Sequence, residues 1–163
     1  TGEDNGYMFL QTTSGGTMAE RLRISSEGYV TKPYHPAFNA KLPGATGTGF
    51  SGFLVFSNVD YNIGSHYSGS NGRFTAPVGG RYLFSWYTNI LRDGGAGTLW
   101  GDWYVNSSAR GNRFYTYYTG GWELMGATII LNLNTNDYVR VYVHSGGNYD
   151  GSSYGSFSGT MIS

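Results

Sequence analysis

The sequence has no cysteine, and charged side chains make up only 12% of its 163 residues. Without cysteine there is neither a disulfide nor a thiolate metal site. The ten basic and ten acidic residues cancel, and the only lysines are Lys32 and Lys41. A nucleic-acid-binding protein needs a stripe of basic residues to neutralise phosphates, and no such stripe is visible. Nucleic acid is therefore excluded as a partner.

Long apolar runs are also missing. The longest uncharged stretch, Leu42 to Val59, is interrupted by one proline and four glycines. A membrane helix needs about 18 consecutive apolar residues, so we expect no membrane insertion. The chain opens on Thr-Gly-Glu-Asp without an initiator methionine. We interpret it as a fragment of a longer protein.

Glycine and aromatic residues are abundant, with 27 glycines, 15 tyrosines and an aromatic fraction of 17%. Glycine serves tight turns, and aromatic side chains favour pleated surfaces, so many short strands are predicted. The clearest is Arg81 to Leu91, and because both of its faces carry large apolar groups we expect it to lie between two packed layers. Phe53 to Phe56 predicts another strand, followed by a segment with Tyr61 and Ile63 that we interpret as a loop. The pattern is typical of a sandwich or barrel.

Residues 1–36 have a different pattern. Tyr7 to Thr12 and Met18 to Ile24 flank a turn at Ser14-Gly15-Gly16-Thr17, which predicts a β-hairpin. Charged side chains leave this hairpin few core positions, so alone it would be marginally stable. Lys32-Pro33-Tyr34-His35-Pro36 is interpreted as a linker, because each proline favours an extended residue before it. We therefore divide the chain into a β-stem with linker, residues 1–36, and a head, residues 37–163.

Eight residues of the head follow a characteristic spacing. They are Phe56, Asn62, Tyr67, Phe74, Gly80, Tyr82, Phe84 and Trp86. This pattern resembles the aromatic signature of the complement C1q globular-head family, with one departure, since Trp86 stands where the signature has Phe or Tyr. The likeness extends over Ala37 to Ser163. It implies an all-β, ten-stranded jelly-roll sandwich, like that of tumour necrosis factor, that assembles as a homotrimer.

The resemblance also bears on metals and on the stem. Some heads of this family hold Ca²⁺ near the trimer axis, and Asp137 and Asp150 would be the candidate ligands. The alternative is that Asp150 only belongs to a turn, because Ca²⁺ takes six or more oxygen ligands and the segment around Asp150 has one carboxylate. No other cofactor is expected. Ala19 to Val30 is similar to the segment that ends the shaft of many bacteriophage tail fibres. Such stems are intertwined trimers, which would supply the partners that the hairpin lacks.

Catalytic patterns are missing. His35, His66 and His144 are far apart, and no His-x-x-x-His spacing, nucleophile elbow or pair of carboxylates is visible. A metal site or a catalytic triad would need these residues to meet in space by chance. We therefore predict that the protein is not an enzyme.

Aromatic residues near predicted turns are the candidate ligand contacts. Their rings bury a large area at low entropic cost, keep a polar tip, and stack on sugars. The alternative is that they fill the sandwich or line a trimer contact. The candidates are Tyr115, Tyr117, Tyr118, Trp122, Tyr149 and Tyr154.

These observations predict a non-enzymatic, homotrimeric receptor-binding head of a viral fibre, in particular a bacteriophage tail fibre. Its location would be the virion, or otherwise extracellular. Its partners would be its own copies and a host-surface glycan or protein, with weak contacts reinforced by simultaneous engagement. One alternative is a secreted or cell-surface C1q-like lectin of a cellular organism, and another is a purely structural trimerisation cap.

Overall fold

The computed structural model describes residues 6–44, 50–91, 96–150 and 154–163, apart from the side chains of residues 145–148 and 150. Within these ranges all the regular secondary-structure elements are β-strands. No helix long and apolar enough to cross a membrane is found among the described residues. The predicted all-β class is confirmed. The chain forms two compact units, Thr1–His35 and Pro36–Ser163.

The unit Thr1–His35 is a small antiparallel sheet. Its strands, in the order β1-β2-β3, are β1 (Met8–Ser14), β2 (Thr17–Ile24) and β3 (Val30–Thr31). Gly15 and Gly16 join the first two strands with φ values of 57° and 79°, the positive angles that tight hairpin turns favour. No side chain described in this unit is buried. The predicted hairpin is therefore present, and it has no core of its own.

Eleven strand segments are described in Pro36–Ser163. They are β4 (Ala37–Lys41), β5 (Phe50–Phe53), β6 (Asn58–Ile63), β7 (Tyr67–Ser68), β8 (Arg73–Thr75), β9 (Gly80–Leu91), β10 (Gly97–Val105), β11 (Ser108–Tyr118), β12 (Glu123–Leu133), β13 (Tyr138–Asp150) and β14 (Ser156–Met161). The resemblance implied ten strands. The number depends on short segments such as β7, which has two residues.

The strands form two layers that share β13. The first layer has the order β12-β9-β14-β4-β6. The second has the order β11-β10-β13, with β5 and β8 on the other edge of β13 and β7 beside β8. The end of β13 leaves the second layer, and residues 148–150 pair with residues 89–91 of β9. This long strand therefore connects the layers.

The core lies between the layers and is mainly aromatic. Phe38 of β4 stacks on Phe74 of β8 with ring centroids 5.3 Å apart, and Phe84 of β9 lies 6.4 Å from Trp103 of β10. All four side chains are buried. Aromatic pairs of this kind contribute about 0.5–1.5 kcal/mol each beyond the burial of their area. A single subunit therefore has one continuous core.

Strand β9 confirms the predicted element and corrects the expectation about its faces. Tyr82 and Trp86 are buried in the core, as the alternation predicts. On the opposite face Leu83 is half-buried and Tyr87 is exposed. The expectation that β9 lies between two packed layers is wrong for a single subunit, because one chain covers only one face of this strand.

Two predictions before β9 also need correction. The strand predicted for Phe53 to Phe56 lies earlier, as β5, and Leu54 and Phe56 are buried without extending it. The segment with Tyr61 that we interpreted as a loop contains β6, at the edge of the first layer. Asn58 to Ile63 alternate strictly between polar and apolar residues, which is the pattern of a half-buried strand, so the signal for β6 was present in the sequence although most of its side chains are exposed at the sheet edge.

Two hydrogen bonds of the Asn62 side chain stabilise the turn between β6 and β7. Its Nδ2 donates to the Tyr67 carbonyl at 2.8 Å, and its Oδ1 accepts from the Tyr67 amide at 3.1 Å. Replacing Asn62 with alanine should lower the free energy of unfolding by about 1–3 kcal/mol, because both bonds are lost. The urea midpoint, at an unchanged slope, measures this loss. Asn62→Asp retains the acceptor oxygen, so its free energy of unfolding should fall by less. Equal stability of the wild type and both variants would contradict this role of Asn62.

Candidate functional site

Alternation along β10 and β13 builds an aromatic surface on the outside of the second layer. Val141 is buried in the core, whereas its neighbours Arg140 and Tyr142 point away from it. Tyr104 pairs with Arg140 across the two strands, so their side chains share the same face. We call this surface the aromatic–arginine face. It consists of Phe53, Arg73, Trp100, Tyr104, Tyr138, Arg140, Tyr142 and His144.

A surface cavity of about 350 Å³ lies on this face, and its floor is aromatic. The ring of Phe53 is 4.8 Å from that of Tyr142 and 5.2 Å from that of Tyr104, edge-on in both cases. Tyr104 and Tyr142 are 5.3 Å apart. Because the rings contact one another, their positions are set before any ligand binds.

Two arginines of the cavity have aromatic partners, and no described carboxylate pairs with them. The guanidinium carbon of Arg140 lies 3.6 Å from the Phe53 ring centroid, and that of Arg73 lies 4.2 Å from the Tyr138 ring centroid. Among the described residues neither forms an ion pair, and both Nε atoms are buried without a hydrogen-bond partner. Burial lowers the pKa of Arg140, and the charge of Arg73 lowers that pKa further. The cavity thus holds two like charges with unused donors.

Asp102 orders the part of this face next to β11. Its side chain is 2% exposed, and its carboxylate lies 2.9 Å from His144 Nε2 and 3.3 Å from Arg113 Nε. Trp100 stacks on His144 at 3.8 Å, and the Arg113 guanidinium lies 4.0 Å from the Trp100 ring. In the part of the chain that is described, no serine or threonine hydroxyl is hydrogen-bonded to the His144 ring. These contacts hold the Trp100 and His144 rings in place.

The exposed members of the predicted ligand set lie at several places. Tyr115 pairs with Trp100, so it extends the aromatic–arginine face, and Tyr117 points the same way along β11. Trp122 precedes β12 and Tyr154 precedes β14, and both are exposed. No ring contact or hydrogen bond between described residues joins these two to the aromatic–arginine face.

Tyr118 and Tyr149 were wrongly predicted as ligand contacts. Both are buried in the core. Along β11 the inward positions include Phe114 and therefore Tyr118, because the side-chain period of a strand is two. Tyr149 pairs with the buried Ile90 at the end of β13, and burial raises the pKa of its phenol.

The two arginines of the cavity and Phe53 were not among the predicted site residues. The available signal was alternation: Tyr138, Arg140 and Tyr142 share one face of their strand, opposite the valines. Arg73 and Phe53 come from other strands, and nothing in their local sequence connects them with Arg140.

The eight signature residues build the core and the turns of one subunit. Tyr67 illustrates their role, because its hydroxyl donates to the Phe56 carbonyl at 2.8 Å, and burial raises the pKa of this phenol. At Gly80 a Cβ atom would lie 2.5 Å from the Ser163 backbone oxygen, so the close approach of Ser163 requires glycine. The buried aromatic members are Phe56, Tyr67, Phe74, Tyr82, Phe84 and Trp86.

Of the two predicted calcium ligands, the structure describes the side chain of Asp137. The Asp137 carboxylate accepts hydrogen bonds from Asn106 Nδ2 and the Asn134 amide, each at 2.8 Å. These bonds hold its pKa below the usual range. The Asp150 side chain lies outside the described residues. Within the described ranges no group of three or more histidines and carboxylates could hold a metal, and calcium binding stays a prediction.

A second exposed surface lies on the outside of the first layer. Ile130 pairs with Leu83, and both lie on the face opposite the core, together with Tyr87. We call this surface the apolar face. It consists of Tyr61, Ile63, Leu83, Tyr87, Leu124 and Ile130. Between Leu83 and Tyr87 on this face, the hydroxyls of Ser85 and Thr128 are hydrogen-bonded to each other at 3.0 Å.

Comparison with known proteins agrees with this architecture. A family model described as C1q domain matches residues 37–162. The globular domain of the zebrafish complement 1qA protein is similar, with a TM-score of 0.61 and 16% identity, covering 78% of this chain and 98% of that chain. Murine APRIL is similar with a TM-score of 0.59 and 11% identity, covering 78% and 99%. At these identities the structural likeness shows the fold alone, and the predicted jelly roll is confirmed.

Proposed function

The chain belongs to the C1q domain family through residues 37–162, and on that premise we propose that it is the non-enzymatic, homotrimeric receptor-binding head of a viral fibre. In particular, we propose a bacteriophage tail fibre, displayed on the virion, that recognises a glycan or protein on the host surface. The observation that carries the proposal is the presence of two unlike exposed faces on one subunit, one apolar and one aromatic and cationic.

The apolar face supports the trimer. Leu124 and Ile130 of β12 are exposed on a single subunit, together with Tyr87 of β9. Burying one such side chain in an interface stabilises an assembly by about 1.5–3 kcal/mol relative to leaving it in water. In an oligomer with closed symmetry, every copy buries the same patch. The occupant that we propose for the apolar face is therefore another copy of this chain.

The stem supports a fibre. Tyr7, Met8, Leu10 and Met18 are exposed in the unit Thr1–His35. A sheet without buried side chains is marginally stable in water, and intertwining of three copies would give these residues a core. The similarity of Ala19 to Val30 to the end of tail-fibre shafts favours a viral fibre over a secreted lectin.

The aromatic–arginine face supports recognition. It lies on the layer opposite the apolar face, so trimer formation leaves it accessible. Three copies of one weak site, presented together, bind a repetitive surface much more tightly than one copy does. Without such binding, the head would serve only as a structural trimerisation cap.

Binding of the purified full chain to a panel of bacterial strains and to a printed glycan array tests the proposal. We expect saturable binding to at least one strain or glycan, and a loss of about a hundredfold when the trimer is converted to monomers. An intact trimer that binds none of them would favour the structural cap. Collagen repeats or a signal peptide upstream in the parent sequence would favour the secreted lectin, whereas a repetitive shaft would favour the virus.

A further inference from the structure

We infer that the cavity of the aromatic–arginine face binds the carboxylate of an acidic sugar, held between Arg73 and Arg140. The inference rests on the proposed recognition function, and it specifies both the site and the class of ligand. The sugar ring would lie on the aromatic floor formed by Phe53, Tyr104 and Tyr142.

The first argument is the state of the two arginines. Arg73 and Arg140 are both half-buried, and each Nε atom is buried without a hydrogen-bond partner. A buried donor without an acceptor is costly, and two like charges in one cavity repel each other. An anion between them would remove both costs. Contacts with aromatic rings alone do not explain why both arginine side chains line the same cavity.

The second argument is the absence of a competing anion among the described residues of this cavity. Asp102 lies under the neighbouring part of the face, and its oxygens contact His144 and Arg113. Asp137 follows a turn next to the cavity, and its oxygens accept from Asn106 and from the Asn134 amide. Neither carboxylate is bonded to Arg73 or Arg140, so the described lining of the cavity carries two positive charges and no negative one.

The third argument is the shape of the groups. A guanidinium is a planar fork that matches a carboxylate with two parallel hydrogen bonds. The aromatic floor offers flat apolar faces for the C–H groups of a sugar ring. Hydroxyls of Ser107 and Tyr138, 3.3 Å apart at the edge of the cavity, can exchange hydrogen bonds with sugar hydroxyls. A volume of about 350 Å³ is at the lower end of the range for small-molecule sites.

Other polyanions fit less well. A nucleic acid requires a row of cations, and this chain has ten basic residues balanced by ten acidic ones. An acidic peptide would use the arginines but would make little use of the three clustered rings. The observations therefore favour a carboxylated glycan over both.

A printed array tests the inference with the full chain as the trimer. It carries uronic-acid-terminated oligosaccharides, their carboxyl-reduced counterparts and a glutamate-rich peptide. We expect each acidic glycan that binds to bind at least about tenfold more tightly than its reduced counterpart. Arg140→Gln should abolish that preference. Arg140→Lys, which keeps the charge but loses the planar fork, should retain part of it.

Arg110→Gln is the matched control, because Arg110 is an exposed arginine of β11 outside the cavity. It should leave the preference unchanged, and all variants should remain trimers with the same thermal midpoint. Equal binding of acidic and reduced glycans would overturn the inference but would still support the proposed recognition function. Preference for the peptide would overturn it in favour of a protein ligand. No binding to any glycan, peptide or strain would overturn the recognition function as well.

Discussion

Replacing Phe38 with alanine is expected to lower the free energy of unfolding by about 3–5 kcal/mol. The Phe38 ring is completely buried, and its centroid lies 4.4 Å from that of Tyr67, 5.3 Å from that of Phe74 and 4.9 Å from that of Phe157. These partners come from both layers, so the strands cannot close the cavity without breaking their pairing. Urea unfolding at one fixed protein concentration measures the loss, since an oligomer's apparent stability depends on concentration.

Two control substitutions separate the cavity from a general effect of losing an aromatic ring. Phe38→Leu keeps most of the volume and should cost about 1.5 kcal/mol or less. Phe9→Ala removes a phenylalanine that is exposed in the stem, and it should change the unfolding of the head little. If Phe38→Ala unfolded at the same urea concentration as the wild type, the two-layer core described here would be wrong.

The core was predictable because its signal is local. The alternation in Arg81 to Leu91 determines which side chains of β9 are buried, and the turn glycines delimit the strand. The spaced aromatic residues from Phe56 to Trp86 resembled one family, and the family model matches the same region. Burial of Tyr82 and Trp86 follows from the period of two that every strand shares.

The candidate site was less predictable because it depends on strand register. Phe53, Arg73, Tyr104 and Arg140 belong to four different strands, and only the pairing of β5, β8 and β10 with β13 brings them together. A slip of one residue in any strand would turn its side chains to the opposite face. Local alternation shows that two residues share a face, but it does not show which strand lies beside them.

Tyr118 shows the same limit on a smaller scale. The run from Arg113 to Tyr118 contains three tyrosines, and proximity to a turn made all of them candidate ligand contacts, with burial in the sandwich as the alternative. Tyr115 and Tyr117 are exposed, whereas Tyr118 is buried. Composition identifies a tyrosine-rich segment, but only the phase of the strand separates the surface rings from the core rings.

The proposed function would account for the low charge of the chain through the use of its outer faces. The outside of the first layer carries side chains such as Leu124 and Ile130, and the outside of the second carries aromatic rings around two arginines. A monomer of this size usually covers both faces with charged residues. A protein that uses one face for association and the other for recognition has little surface left on which charge is needed.

Replacing Ile130 with aspartate is expected to convert the proposed trimer into monomers. Ile130 is 60% exposed on a single subunit and lies beside Leu83 on the apolar face. In the trimer its burial would be worth about 1.5–3 kcal/mol, and a carboxylate buried there without a partner would cost several kcal/mol more. Because the change recurs at every interface of a symmetric assembly, the dissociation constant should rise at least about a thousandfold. Sedimentation velocity at micromolar concentration reports the change.

Tyr117→Asp is the matched control, since Tyr117 is 62% exposed but lies on the outside of the second layer. In an isolated subunit the two substitutions replace apolar side chains of nearly equal exposure, so they should affect subunit stability alike. Only association through the apolar face makes them differ, and Tyr117→Asp should therefore remain a trimer. A monomeric wild type, or an Ile130→Asp variant that stays trimeric, would refute this interface. Monomers produced by Tyr117→Asp alone would move the interface to the second layer.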